Sequence, residues 1–149
     1  MFDKAMLIAA QTHLGIRDKG GSPYILHVIR VAMRLRTTDE ELMSIAVLHD
    51  AVEDGDVTFD DLSKSGMSDR VIAALTLLTH TKGISYDAYI ERMRYNIDAL
   101  LVKREDLRDN SDITRLKGVT EKDFLRMQKY HKSFVKVQEY ITAHESKLL

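Results

Sequence analysis

The sequence predicts an all-α fold, a compact bundle of about seven or eight helices, on three observations. Punctuation is sparse, because one proline and seven glycines in 149 residues leave little material for the frequent tight turns of an all-β chain. Apolar residues recur at helical intervals, with no alternating run long enough for a strand. Ser, Thr and Asp residues that cap helices stand just ahead of several apolar runs.

Phe2, Ala5, Met6, Ala9 and Ala10 share one helical face and predict a first helix. A loop from Gly15 to Gly21 follows, carrying Arg17, Asp18 and Lys19. Ser22-Pro23 reads as an N-cap with proline at the first helical position, opening a helix to about Arg36. Thr38-Asp39-Glu40-Glu41 fits a capping box and opens a third helix running to about Asp54, with Gly55 as its stop. The centre of that helix, Ile45-Ala46-Val47-Leu48, is apolar on all sides, which predicts the middle of the bundle. Thr58 and Ser68 cap two further helices, and Ser85 starts one reaching the Ile97 region. Another spans about Asp98 to Ser111, the Ile113–Val119 segment reads as irregular, and Thr120 begins a long helix to about His144. At this length the expectation is one domain over residues 1–149.

Composition narrows the function. Lys and Arg number 22 against 23 Asp and Glu, a net charge of −1, which excludes a polybasic binder of nucleic acid but not a locally basic pocket for a phosphorylated ligand. With no cysteine there is no disulfide frame, Cys-based zinc finger, iron–sulfur cluster or thiol nucleophile. The apolar runs fall short of the about 20 residues a bilayer span needs, and Met1-Phe2-Asp3-Lys4 does not open a signal peptide. The expectation is a cytoplasmic protein with no membrane or nucleic-acid partner, and the oligomeric state stays open.

Polar residues then appear where a helix should be apolar. His49 and Asp50 follow directly on Ile45–Leu48, with Glu53 and Asp54 one turn later. Three acids and an imidazole on a buried element repel one another and are costly to desolvate without a cation. Imidazole with carboxylate suits Mn, Fe, Zn or Co better than Ca or Mg. His27, flanked by Ile25, Leu26, Val28 and Ile29, and the i, i+4 pair Asp106 and Asn110 are candidates to complete the site from two other helices. Taken alone, a buried histidine is more often a hydrogen-bonded core residue, and Lys103–Asn110 reads as a solvated charged face. The ordered set His27, His49-Asp50, Glu53-Asp54, Asp106, Asn110 is what favours a site.

That order, H…HD…ED…D-x3-N, resembles the HD-domain metal-dependent phosphohydrolases. More narrowly, it is similar to the hydrolase domain of Rel/Spo-type alarmone enzymes and the stand-alone small alarmone hydrolases. Gly21-Ser22-Pro23-Tyr24-Ile25-Leu26-His27 resembles the family's G-x-P-Y-I-x-H, and Leu48-His49-Asp50-Ala51-Val52-Glu53-Asp54 its L-H-D-x-V-E-D, the most specific of the matches. Val102–Asn110 matches V-K-L-A-D-x-x-x-N at its anchors, with Arg104-Glu105 in place of the apolar-small pair. Ser111-Asp112 replaces the aliphatic residues that usually follow the asparagine. The likeness covers residues 1 to about 116.

The resemblance implies that His27, His49, Asp50 and Asp106 ligate one metal, Mn2+ in the alarmone branch, with Fe, Co or Zn as the other transition metals of that chemistry. It implies that Glu53 and Asp54 orient and deprotonate the attacking water and that Asn110 holds the ribose. Arg17 and Lys19 would meet the base and phosphates, and Lys82 stands where the family has a further basic residue. The implied activity is removal of pyrophosphate from the 3′ position of guanosine 3′,5′-polyphosphates, a small-molecule nucleotide substrate. Two other readings stay open: an HD hydrolase of another nucleotide phosphoester, and a non-catalytic nucleotide-binding module.

Overall fold

The structure, a computed structural model, describes residues 1–147. It is helical throughout, with nine α-helices and a 3-10 turn among the described residues. They are α1 (Phe2–Thr12), α2 (Ile25–Arg34), α3 (Glu40–Leu48), α4 (Ala51–Asp54, a single turn), α5 (Phe59–Lys64), α6 (Asp69–Leu78), α7 (Tyr86–Glu91), α8 (Ile97–Asn110) and α9 (Glu121–Ser146), with the 3-10 turn at Ile113–Arg115. The extended backbone among the described residues is an isolated antiparallel bridge between Arg17 and Pro23. No described helix is long and apolar enough to cross a membrane.

α3 sits at the centre, packed against α1, α2, α6 and α8, and α9 lies along the outer side of α8. This follows from the all-round apolar run: Ile45, Ala46, Val47 and Leu48 are each fully buried. Burying one such Ile or Leu stabilises the fold by about 1.5–3 kcal/mol. The core continues through Val28 and Val31 of α2, Val71 and Leu75 of α6, and Leu100 and Leu107 of α8.

The caps at Thr58, Ser68, Ser85 and Thr120 form as the sequence suggests, each hydroxyl accepting a backbone N–H in the first turn. Four boundaries differ. Ser22-Pro23 does not open α2: Pro23 is held in the bridge, where Asp18 N donates to the Ser22 carbonyl and Tyr24 N to that of Ile16, both at 2.9 Å. The helix therefore begins at Ile25. Asp39, not Thr38, is the N-cap of α3, its carboxylate accepting from Glu41 N and Leu42 N. α3 stops at Leu48 because the His49 side chain, Nδ1 to the Ala46 carbonyl at 2.7 Å, takes the acceptor that a continuing helix would offer to the Asp50 N–H. The helix from Ser85 ends at Glu91, and Asn96 recaps the chain for α8.

Candidate metal centre

The break after α3 places His49 and Asp50 where the chain leaves the core. α2 contributes His27 and α8 contributes Asp106, so three neighbouring segments meet at one point. One ligand atom from each of His27, His49, Asp50 and Asp106 lies within 4.8 Å of all the others. His27 Nε2 is 3.1 Å from Asp106 Oδ1 and 3.6 Å from Asp50 Oδ2, and His49 Nε2 is 3.0 Å from Asp50 Oδ2 and 3.4 Å from Asp106 Oδ1. Both Nε2 atoms are buried, and neither is aligned for a hydrogen bond with the carboxylates crowding it.

The opposite ring nitrogens are occupied. His49 Nδ1 donates to the Ala46 carbonyl, and His27 Nδ1 donates to Asp109 Oδ2, both at 2.7 Å. A proton fixed on Nδ1 leaves the Nε2 lone pair directed inward, the arrangement of a metal-ligating imidazole. The carboxylates are braced too. Tyr24 donates its hydroxyl to Asp50 Oδ2 at 2.6 Å, Lys103 its ammonium to Asp106 Oδ2 at 2.8 Å, and Asn110 its amide to Asp106 Oδ1 at 2.8 Å. Two imidazoles with bare inward Nε2 atoms and two braced carboxylates fit a divalent transition metal.

Electrostatics agree with a site built for positive charge. Burial works against charge on His49, but Asp50 and Asp106 outweigh it and hold the imidazole well above its usual range. Burial likewise opposes ionised Asp106, yet Lys103, His27 and His49 hold its carboxyl well below that range. Asp50 is held at about 2, by His49 above all, against the cost of its own burial.

Glu53 and Asp54 stand at the exposed rim on α4, one turn on from the His49-Asp50 pair, with Asp54 N donating to the Asp50 carbonyl at 3.0 Å. Glu53 Oε1 accepts the backbone N–H of His80. Lost hydration, then the Asp50 and Glu53 charges, push Asp54 up to about 6, a shift that solvent access at the rim tempers. Beside the centre lies a cavity of about 340 Å³ lined by Arg17, Lys19, Tyr24, His27 and Asn110 among others. Lys82 lies exposed on the turn between α6 and α7 and does not line it.

Lys103–Asn110 is not the solvated face that its charge pattern suggests: Lys103, Glu105, Asp106 and Asp109 are all buried. Glu105 is matched by Arg104 and Arg108, each at 2.8 Å. Reading the sequence missed Asp109 and Lys103 as supports of ligands, and Arg115, Arg126 and Tyr130 as cavity-lining residues. The apolar residues Leu100, Val102 and Leu107 interleaved with those charges were the available signal that the segment turns inward.

No protein-family model matches the chain. It is 47% identical over 60 residues to the guanosine-3′,5′-bis(diphosphate) 3′-pyrophosphohydrolase MESH1 of Danio rerio, a match covering 36% of this chain and 33% of that protein. To MESH1 of Drosophila melanogaster it is 34% identical over 106 residues, 63% of this chain and 57% of that protein. To the guanosine-3′,5′-bis(diphosphate) 3′-pyrophosphohydrolase of Aquifex aeolicus it is 33% identical over 85 residues, 56% of this chain and 12% of that one. The chain thus spans less than two thirds of the length of each of these curated relatives. A solved structure of a metazoan orthologue of SpoT that hydrolyses ppGpp superposes with a TM-score of 0.75 at 26% identity, covering 99% of this chain and 96% of that one.

Proposed function

We propose, on the premise that this chain resembles the HD-type alarmone hydrolases in both sequence and fold, that it hydrolyses guanosine 3′,5′-polyphosphates and releases pyrophosphate from the 3′ position. The observation that carries the reading is the convergence of His27, His49, Asp50 and Asp106 with both imidazole Nε2 atoms bare and facing inward. In this reading those four side chains hold one Mn2+. When bound, such an ion supplies Lewis-acid polarisation of a phosphoryl oxygen and of water.

The chain's own groups do the rest. Lys103 and Asn110 keep Asp106 in place, and Tyr24 does the same for Asp50. Glu53 and Asp54 at the rim orient the attacking water and take its proton. Two rim carboxylates one turn from Asp50 are placed to accept that proton directly or through a second water. The water oxygen bonds to the phosphorus next to the ribose, the bond from that phosphorus to O3′ breaks, and O3′ takes a proton. The products are pyrophosphate and guanosine 5′-diphosphate, or the 5′-triphosphate from the pentaphosphate. Arg17 and Lys19 bring positive charge to the nucleotide in the cavity and Asn110 faces the ribose, with Lys82 an outer phosphate contact reached from its exposed turn.

The test is product analysis with purified protein and Mn2+. Pyrophosphate from guanosine 3′,5′-bis(diphosphate), abolished by EDTA, is the expected result. Orthophosphate from simpler nucleotides, with the bis(diphosphate) untouched, would move the activity to another phosphoester. Binding of nucleotide with no turnover of any would leave a non-catalytic module.

A further inference from the structure

Asp109 is fully buried, and its carboxylate is shared among four side chains. It accepts His27 Nδ1 at 2.7 Å, Arg30 Nε at 2.8 Å, Arg34 Nη1 at 2.9 Å and Arg115 Nη1 at 2.5 Å. Arg115 then extends the chain of contacts outward, its Nη2 donating to Asp18 Oδ2 at 2.8 Å. Asp18 in turn folds its own loop, Oδ1 accepting the backbone N–H groups of Gly20 and Ser22 at 2.9 Å each. The backbones meet as well: a side chain at Gly20 would collide with the Arg115 carbonyl. Asp18 lies between Arg17 and Lys19, two of the basic residues that line the cavity.

We propose that Asp109 is a positioning residue acting in two directions at once. It holds the His27 ring with Nε2 facing the metal centre and, through Arg115 and Asp18, ties that ligand to the loop carrying Arg17 and Lys19. The metal centre and the anion-binding loop are then coupled parts of one device. This rests on the metal-centre reading above.

The chemistry favours orientation over activation. A carboxylate alone against a ligating imidazole both orients the ring and raises its basicity. A carboxylate already neutralised by three guanidiniums, those of Arg30, Arg34 and Arg115, is a weak base. It fixes where the Nδ1 proton sits without drawing it away. The same three arginines brace the carboxylate from α2 and from the 3-10 turn, so ring and loop share one anchor.

The test is calorimetric titration of Mn2+ alone, without nucleotide, into the full chain and two variants, with melting curves run alongside. Asp109→Asn preserves shape and one acceptor, and is expected to weaken Mn2+ binding by about 10–100-fold. Arg115→Ala, which lies farther out and touches no ligand directly, is expected to weaken it by about fivefold or more. Should Asp109→Asn fail to fold, Arg115→Ala decides. A purely structural role would lower the melting temperature of the variants and leave the Mn2+ affinity of the folded protein unchanged, and that result overturns the proposal. Unchanged Mn2+ affinity alongside intact alarmone hydrolysis would defeat this inference alone. Tight, Asp109-dependent Mn2+ binding without hydrolysis would defeat the proposed activity alone.

Discussion

At the scale of single residues, the site is defined by which atoms are satisfied and which are left bare. His27 and His49 each spend Nδ1 on a protein acceptor and leave Nε2 unbonded in the interior, which is costly unless something occupies the space. Glu53 differs, since it stands at the rim, outside the cluster, where its carboxylate accepts the His80 N–H. Glu53→Gln keeps an acceptor for that N–H while removing the proton-accepting carboxylate. Mn2+ affinity should stay within about twofold of the parent while kcat falls by about 10²–10⁴, readable by calorimetry and product assay together. Wild-type turnover in Glu53→Gln would remove that residue from proton transfer. The four clustered residues were legible in the sequence because His27, His49-Asp50 and Asp106 fall in a recognisable order. Their supports were not, since nothing in the letters distinguishes Asp109, buried under three arginines, from Asp112 three positions on, which lines the cavity.

At the scale of elements, the ends of helices decide what the site can do. Apolar periodicity predicts α3 well in its body and poorly at both ends. Its C-terminal end depends on a local side-chain bond, a histidine ring claiming the backbone carbonyl three residues back, which no periodicity reports. Its N-terminal end depends on Asp39, which caps two N–H groups and also receives Arg70 Nη2 at 2.8 Å. Arg70, followed by the backbone N–H groups, holds the Asp39 carboxyl below its usual value against partial burial. Asp39→Ala should therefore cost about 1 kcal/mol in denaturant unfolding at neutral pH. A carboxyl depressed in the folded state stabilises above the unfolded carboxylate pKa, and this contribution is lost as the pH falls through the folded value. The parent and Asp39→Ala should differ at neutral pH and converge once the pH falls below the lowered folded-state value of Asp39. An equal difference at both extremes would show that the cap acts through something other than its charge. α8 teaches the opposite lesson about surface patterns: Lys103, Glu105, Asp106 and Asp109 are buried, with Lys103 paired to Asp106 and Glu105 to Arg104 and Arg108 along the helix.

At the scale of the molecule, the fold is a scaffold around α3, and it was legible as all-α because punctuation, periodicity and caps agreed. What no local pattern carried is how α2, α3 and α8 meet, and that meeting makes the centre. An ion held by side chains from three segments far apart in sequence would couple its binding to the folded state. Mn2+ at about 100 times its Kd should add about 2.7 kcal/mol and raise the melting temperature by roughly 5–10 °C, with EDTA reversing the gain. A melting temperature indifferent to Mn2+ and to EDTA would mean that the cluster binds no ion in the folded state.

The account turns on one cation shared by four side chains. Anomalous diffraction from crystals grown with Mn2+ tests this directly. We predict a single strong peak about 2.0–2.3 Å from His27 Nε2, His49 Nε2 and one oxygen each of Asp50 and Asp106. A map with no peak there, and the two imidazoles instead bonded to the carboxylates, would contradict it.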